Sequence, residues 1–265
     1  MVEATPHFIQ STRADRTEMR IIVGTNVAIA SYCAIVTLSE IRSAGLGWML
    51  VPLCFVAGYF LADFLSGVVH WGVDTWFNEI SLGRTIAIAR EHHTHPQAIL
   101  GYNFLEHAAL GSMIGMTAIG PLALLTAALP PSKLTFCLMI VWGTTTTFMV
   151  FGTTFHNLSH KPCPPKLVST LQRVGLMLSP QHHWVHHRNQ TIRYCTINGW
   201  ANPLCDALDV WRRLERLVHA VTGAVPRQND QEWQRIFSET GVLTPPSHSP
   251  ASAACPKHRP NRPQR

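Results

Sequence analysis

The sequence predicts an all-α protein that crosses a membrane about four times and carries a histidine-rich helical cap at one face. Three observations lead there. Of 265 residues, 46% are hydrophobic and only 14% charged, whereas a soluble domain averages about 25% charged. Four apolar stretches each approach the roughly 20 residues that a helical crossing needs. Most of the fifteen histidines gather at or just beyond the ends of those stretches. Mean hydropathy is a mild +0.10, so a sizeable polar part is expected outside the lipid.

Taken in order, residues 1–20 carry acids, Pro6 and no apolar core. They are expected to be a cytoplasmic N-terminal segment rather than a cleavable signal peptide. The first span is expected over Ile21 to Leu38, diluted by Asn26 and several small residues. The second runs from Trp48 through Phe60 to Val69, the third from Ala108 to Leu129 before Pro130 and Pro131, and the fourth from Leu134 to Phe155. The spans and the chain beyond the fourth form a membrane domain over 21–240. Pro164 to Ser179 reads as an interfacial amphipathic helix with Leu167, Leu171, Val174 and Leu178 on one face. From Pro245, Pro, Ser, His and Arg dominate, and 241–265 is expected to be a disordered tail.

Charge sets the orientation. Arg13, Arg16 and Arg20 precede the first span, Arg84 and Arg90 lie between the second and third, and Lys161, Lys166 and Arg173 follow the fourth. The alternate connections hold only Glu40 with Arg42, and Lys133. The positive-inside rule therefore places both termini and the 74–107 connection in the cytoplasm, for a bacterial inner membrane or an endoplasmic reticulum. The net charge of +6 suits such a face. No basic run is interleaved with stacking aromatics, so nucleic-acid binding is not expected. Seven scattered cysteines without a CxxC pair predict neither a disulfide framework nor a cysteine metal site. Trp48, Trp71, Trp76, Trp142 and Trp200 read as interface anchors and packing. Arg188, Arg193, Arg212, Arg213 and Arg216 read equally well as headgroup contacts or as a solvated basic face.

The histidines form four groups: His70; His92, His93 and His95; His156 with His160; and His182, His183, His186 and His187. Four separate stretches thus deliver imidazoles to one depth on one side. His156 and His160 are i and i+4, one helical face, and His183 with His186 and His187 repeats that spacing. Asp63, Gly67, His70 and Asp74 make one stripe down the second helix, where Gly67 and Gly72 are expected to admit close helix approach. A carboxylate at membrane depth is costly, so Asp63 is expected to face inward and fix a histidine tautomer, with Asp74 doing the same or serving as a ligand. His7, His219, His248 and His258 read as solvated.

Some eight imidazoles are too many for one zinc, and the metalloprotease pattern HExxH is missing. Two metals use them all, and imidazole suits iron. Two irons activating O2 would supply the oxidant that an unactivated alkyl chain requires. Two other classes remain in view. A bis-histidine haem cytochrome would pair histidines across the bilayer interior, whereas these cluster at one face. A metal transporter would need ionisable groups through the midplane, and the third and fourth spans have none.

The runs "ADFLSGVVHWGVDTW", "REHHTHPQAI", "FHNLSH", "HHWVHH" with "YCTINGWANP", and "WRRLE" resemble the Kua family of lipid desaturases, which includes plasmanylethanolamine desaturases, the bacterial CarF proteins and a plastid phosphatidylglycerol desaturase. The resemblance covers about residues 48–236. It implies a four-span enzyme with a cytoplasm-facing di-iron site, a membrane phospholipid and O2 as substrates, and electrons from a carrier of cytochrome b5 or ferredoxin type. It implies His70, His92, His93, His156, His160, His183, His186 and His187 as iron ligands, with Asp63, Asp74, His95, His107 and His182 around them. His182 matches the plasmanylethanolamine branch, and His95 stands where that branch has an acid. In "YNFLEHAAL", Tyr102 replaces a histidine of that branch and His107 falls in a pattern lacking its Asn. "WRRLE" and "HHWVHH" favour the ether-lipid branch, which implies formation of the vinyl ether of plasmalogens. The alternative is an acyl-chain desaturase or hydroxylase acting on another phospholipid.

Overall fold

The computed structural model describes residues 12–41, 45–77, 89–90, 92–93 and 96–227. Helix α1 spans Arg13–Glu40 and opens on a reciprocal cap, Thr12 accepting from the Asp15 amide while Asp15 accepts from the Thr12 amide. That cap starts the helix eight residues earlier than the apolar stretch, so Arg13, Arg16 and Arg20 are its first turns. A 3₁₀ segment (Gly45–Leu50) leads into α2, Val51–Thr75, started by Pro52 in its first turn. The third span is α3 (Phe104–Ile114), a π turn (Gly115–Ile119) and α4 (Gly120–Ala127). The apolar pattern gave no sign of that interruption. Pro121 cannot donate its amide or admit the carbonyl a turn earlier, and the wider π turn absorbs the conflict. Helix α5 spans Lys133–Ser159, capped by Ser132 and Thr135.

These four units are long and apolar enough to cross a membrane, and no strand occurs among the described residues. The protein is an integral membrane protein of helical class. Helix α5 is the hub, packing on α1, α2 and α3. The first span is tied in through its one buried amide: Asn26, fully buried, donates to the Thr146 carbonyl at 3.1 Å. Its Oδ1 lies where a Cβ on Gly115 would stand, 2.1 Å away. The residue that weakened the first apolar stretch thus locks it to the bundle. Glu40 at the end of α1 accepts from Thr135 at the start of α5, while His107 at the start of α3 meets Asn157 at the end of α5. The ends of α2 and α5 therefore share one face of the bundle with the start of α3.

Four short helices cap that face: α6 (Lys166–Arg173), α7 (Pro180–Arg188), α8 (Asn202–Ala207) and α9 (Val210–Thr222). The amphipathic helix expected to reach Ser179 stops at Arg173. Gly175 turns the chain at φ +75, and Leu178 is buried with its amide on the Ile197 carbonyl rather than lying on an interfacial face. Helix α9 lies on α2 through Trp211, which stacks on Phe64 and packs with Trp71. Gly67 makes this contact possible, since a Cβ there would meet Cys195 Sγ at 2.6 Å and Trp211 at 2.8 Å. Gly72, expected to do the same, faces open space. Cys33, Cys54, Cys137, Cys195 and Cys205 are free thiols. Cys163 is disulfide-bonded, where the scattered spacing predicted no disulfide. The tail segment 241–265 and His7, His95, His248 and His258 lie outside the described residues.

Helix α3 approaches α5 so closely that a Cβ on Gly111 would sit 2.0 Å from the Met149 carbonyl oxygen. Backbone cannot move aside as a side-chain tip does. Gly111→Ala should therefore separate the two helices and cost about 1–3 kcal/mol, read as a lower thermal midpoint in detergent. Gly24→Ala, with nothing within 4 Å of its added carbon, should leave the midpoint near the wild-type value.

Candidate metal centre

Helix α2 brings His70 to the cap and, one turn later, Asp74. Helix α5 brings His156, and His160 follows as its C-terminal cap residue. Helix α7 begins at Ser179, whose hydroxyl accepts from the His182 amide, and its 3.6-residue period sets His183, His186 and His187 toward the bundle. His92 and His93 approach from the segment between the second and third spans. His70, His92, His156, His183 and His186 are all buried.

Their donor atoms sort into two groups. In one, His92, His156, His160, His183 and His187 bring one nitrogen each within 4.8 Å of all the others; in the second, His70, Asp74, His93 and His186 do the same. In the first group His156 Nε2 lies 2.8 Å from His183 Nε2, His187 Nε2 3.0 Å from His183 Nε2, and His160 Nε2 3.2 Å from His156 Nε2. In the second, Asp74 Oδ2 lies 3.1 Å from His70 Nε2, 3.2 Å from His93 Nε2 and 3.4 Å from His186 Nε2. The groups interleave, with the His92 and His93 rings 4.3 Å apart and those of His70 and His156 5.0 Å apart. Asp74, expected as a ligand or as a group orienting one, converges with the nitrogens themselves. It is one turn from His70, so its carboxylate reaches the same point.

The protonation state fits metal binding. Burial, reinforced by neighbouring imidazoles, holds His92, His183 and His187 well below the usual imidazole range and His160 at about 3. These rings are neutral at neutral pH and present lone pairs. His70 Nδ1 donates to the Tyr194 carbonyl at 3.0 Å and His186 Nδ1 to the Ile192 carbonyl at 2.7 Å. That fixes the tautomer that turns Nε2 inward, the usual arrangement behind a ligating imidazole. Yet His70 Nε2, His186 Nε2, Asp74 Oδ2 and both nitrogens of His92 and of His93 are buried without a hydrogen-bond partner. Lone pairs facing each other at about 3 Å without hydrogens between them repel. A cation shared by each group removes that repulsion, and donors about 2.0–2.2 Å from one ion lie at such separations. The nine donors can hold two metal ions.

The other expected site residues do different work. Asp63 touches no histidine. Its Oδ1 accepts the amides of Ile197, Asn198 and Gly199 at 2.9–3.0 Å, and its Oδ2 that of Ala201 at 3.0 Å. The expectation that it fixes a tautomer directly is thus corrected: it pins the 195–202 loop, and that loop continues from the two carbonyls that orient His70 and His186. A buried carboxylate needs donors, and backbone amides supplied them where the sequence suggested an imidazole. His182 also stays off the metal groups. Its Nε2 accepts from Asn202 at 3.0 Å and from Arg193 at 3.2 Å, and burial together with Arg193 holds it at about 4. His107 Nε2 accepts from Asn157 at 2.6 Å, and Asn157 also donates to the Ile99 carbonyl, bracing α5 between His156 and His160. Tyr194 and Ile192 act through their carbonyls, so no side-chain signal could have revealed them. Asn202, bonded to both the amide and the carbonyl of Cys195, was visible only as part of "NGWANP".

A cavity opens onto both groups. It is lined by His70, His92 and His156 together with Ser66, Val69, Val73, Leu110, Gly111, Met149, Gly152 and Thr153, and encloses about 70 Å³. Apart from the imidazoles its walls are apolar or small.

The model of the lipid desaturase domain family matches residues 59–229, which contain every residue just described. The chain belongs to this lipid desaturase family. It is 36% identical over 189 residues to a plasmanylethanolamine desaturase of Myxococcus xanthus, covering 69% of this chain and 65%, just under two thirds, of that relative. It is 34% identical over 199 residues to plasmanylethanolamine desaturase 1 of Mus musculus, covering 69% of this chain and 70% of the relative. It is 32% identical over 195 residues to the chloroplastic fatty acid desaturase 4 of Arabidopsis thaliana, covering 70% and 57%. No solved structure matches it. The desaturase is accordingly an oxidoreductase acting on lipid, with a histidine cluster able to hold metal.

Asp74 is the one anionic donor among the nine, so its loss should empty one position selectively. Asp74→Ala should lower the metal-to-protein ratio of the purified desaturase from about two to about one, by elemental analysis. His219→Ala, on the exposed face of α9, should leave it unchanged.

Proposed function

We propose that this desaturase is a di-iron, O2-dependent enzyme that forms the vinyl ether of plasmalogens, converting the 1-O-alkyl chain of an ethanolamine phospholipid to the 1-O-alk-1′-enyl chain. The supporting observation is the juxtaposition of two metal-ready donor groups with an apolar cavity at one end of a membrane bundle. Two of the three curated relatives named above carry the plasmanylethanolamine activity in their names. Iron is the choice for a site of eight imidazoles and one carboxylate that must handle O2. His70, Asp74, His93 and His186 hold one ion, and His92, His156, His160, His183 and His187 the other. Bound there, the iron pair supplies an oxidant derived from O2 that is strong enough to remove hydrogen from an unactivated chain.

The chain's own residues do the rest. Stripes at i, i+3, i+4 and i+7 (Ser66, Val69, His70 and Val73 on α2; Met149, Gly152, Thr153 and His156 on α5) line one cavity with the donors at its head. From Met149 to His156 the wall descends about 10 Å at 1.5 Å per residue. A lipid tail lying there presents the carbons nearest its ether oxygen to the metal pair, while the headgroup stays at the surface. The dry walls exclude water from the reacting carbons. The cytoplasmic placement of this end is supported by Arg13, Arg16, Arg20, Lys161, Lys166 and Arg173 beside it. Electrons come from a one-electron carrier of cytochrome b5 or ferredoxin type.

Membranes of cells that make the ether precursor and express the enzyme should accumulate acid-labile vinyl ethers, detected by mass spectrometry. If iron-loaded enzyme leaves the precursor untouched and new acyl double bonds appear instead, the substrate is an acyl phospholipid, as the name of the chloroplastic relative suggests. Cavity width supplies a second test. A Cβ on Gly152 meets nothing nearer than Ile197 and Ser66, at 3.6–3.9 Å, so Gly152→Ala should fold and work. Gly152→Leu should lower kcat/KM about tenfold or more with iron content unchanged.

A further inference from the structure

Removing two hydrogens from a chain while reducing one O2 to two waters takes two further electrons and two protons. On the desaturase reading above, the electrons arrive singly from outside. Both donor groups are buried, so a carrier's redox centre cannot touch them, and some residue at the surface must receive it. Helix α7 offers one. Its inner face carries His183, His186 and His187. Trp184 stacks on the His187 ring, with centroids 6.0 Å apart and planes 19° from parallel. The Arg188 guanidinium lies 6.0 Å over the same indole from outside. Arg188 is exposed, as are Gln181, Val185 and Asn189, and it has no carboxylate partner among the described residues.

We propose that Trp184, Val185 and Arg188 form the docking patch for an acidic one-electron carrier protein, with the Trp184 indole as the relay between the carrier and His187. The chemistry matches on three counts. Tryptophan and arginine are the side chains that most often anchor interfaces, and Val185, 40% exposed, adds an apolar centre. Electron-transfer encounters are small and transient, so a patch one helix face wide is sufficient. Residues 160–227 carry nine arginines and lysines against three acids, a field that draws an acidic partner to this end of the molecule. A second aromatic ladder exists, from His186 through Tyr194 (4.9 Å) and Trp211 (5.1 Å) to Trp71 (6.3 Å). It needs three transfers between rings and ends at Trp71, which is buried with its indole on the Glu215 carboxylate that Arg212 already pairs. The Trp184 route has one step and a cation at its mouth.

Each reduced carrier gives up one electron through the indole, and two carriers are oxidised for each double bond formed. The test uses full-length, iron-loaded enzyme in vesicles containing the 1-O-alkyl ethanolamine phospholipid. Turnover is driven either by a reduced protein carrier (the soluble domain of cytochrome b5 and a [2Fe–2S] ferredoxin, tried in parallel) or by photoreduced riboflavin. Arg188→Glu should raise the carrier concentration for half-maximal rate about tenfold and flatten its dependence on ionic strength, while the riboflavin-driven rate and iron content stay unchanged. Trp184→Leu, at unchanged iron content, should slow carrier oxidation in a single turnover more than it slows the riboflavin-driven reaction. Wild-type behaviour of both variants toward both carriers, or equal losses with carrier and riboflavin, would overturn the docking patch. Wild-type enzyme that forms no double bond with either donor despite full iron content overturns the desaturase reading itself, and this proposal with it.

Discussion

A buried imidazole nitrogen without a hydrogen-bond partner is a cost, and this protein gathers six such rings and a carboxylate at one site. Burial does not by itself keep such rings facing one another at about 3 Å. Something must aim them, and the aiming is done by backbone. The carbonyls of Ile192 and Tyr194 take the Nδ1 hydrogens of His186 and His70, and these two bonds decide which nitrogen points inward. The segment that supplies them is neither helix nor strand. It keeps its shape because Asp63 accepts four of the amides just beyond it, Ser66 accepts a fifth from Thr196, and Asn202 closes the turn on Cys195.

A carboxylate at that depth in α2 is thereby explained without being placed at the metals. Desolvating Asp63 is tolerable because four amides replace water, and those amides in turn need an acceptor where no helix or sheet provides one. His182 takes the polar hydrogens of Asn202 and Arg193 on the far side of the same loop. The two residues clamp it from the membrane side and from the cap. Asp63 acts at the metal groups only through that loop, so it is a positioning residue.

Much of this was legible in the sequence, for physical reasons. Helical crossings must be long and apolar, so four spans could be read from composition alone. Metal-binding histidines must share a helix face, so HxxxH and HHxxHH disclosed their partners through a period of 3.6 residues. The spacing of Asp74 from His70 was equally visible, yet it left open whether that carboxylate binds or orients, because both roles use the same geometry up to the last ångström. What the sequence withheld was carried by backbone atoms or by contacts between distant segments. The acceptor carbonyls have no residue signature. The need for glycine at 115 arises only because Asn26 arrives against it from another helix. Leu178 looked like the edge of an amphipathic face because nothing local announces the hydrogen bond to Ile197.

The same helical period couples chemistry to selectivity. On α5 the residues that line the cavity precede His156 by three, four or seven positions, and on α2 Ser66 and Val73 lie four before and three after His70, so wall and donors belong to one stripe on each helix. A rotation or one-residue slip of α5 would move His156 off its group and turn Thr153 and Met149 out of the cavity in one motion. Gly58 and Gly111 oppose such a slip, since α2 and α3 approach α5 there so closely that a Cβ would meet the Val141 carbonyl at 2.7 Å and the Met149 carbonyl at 2.0 Å. Close backbone contact in the membrane thus fixes the register of the cavity, and with the cavity the position of the donors at its head. The loop then needs only to set tautomers on rings that the helices have already brought to the right place.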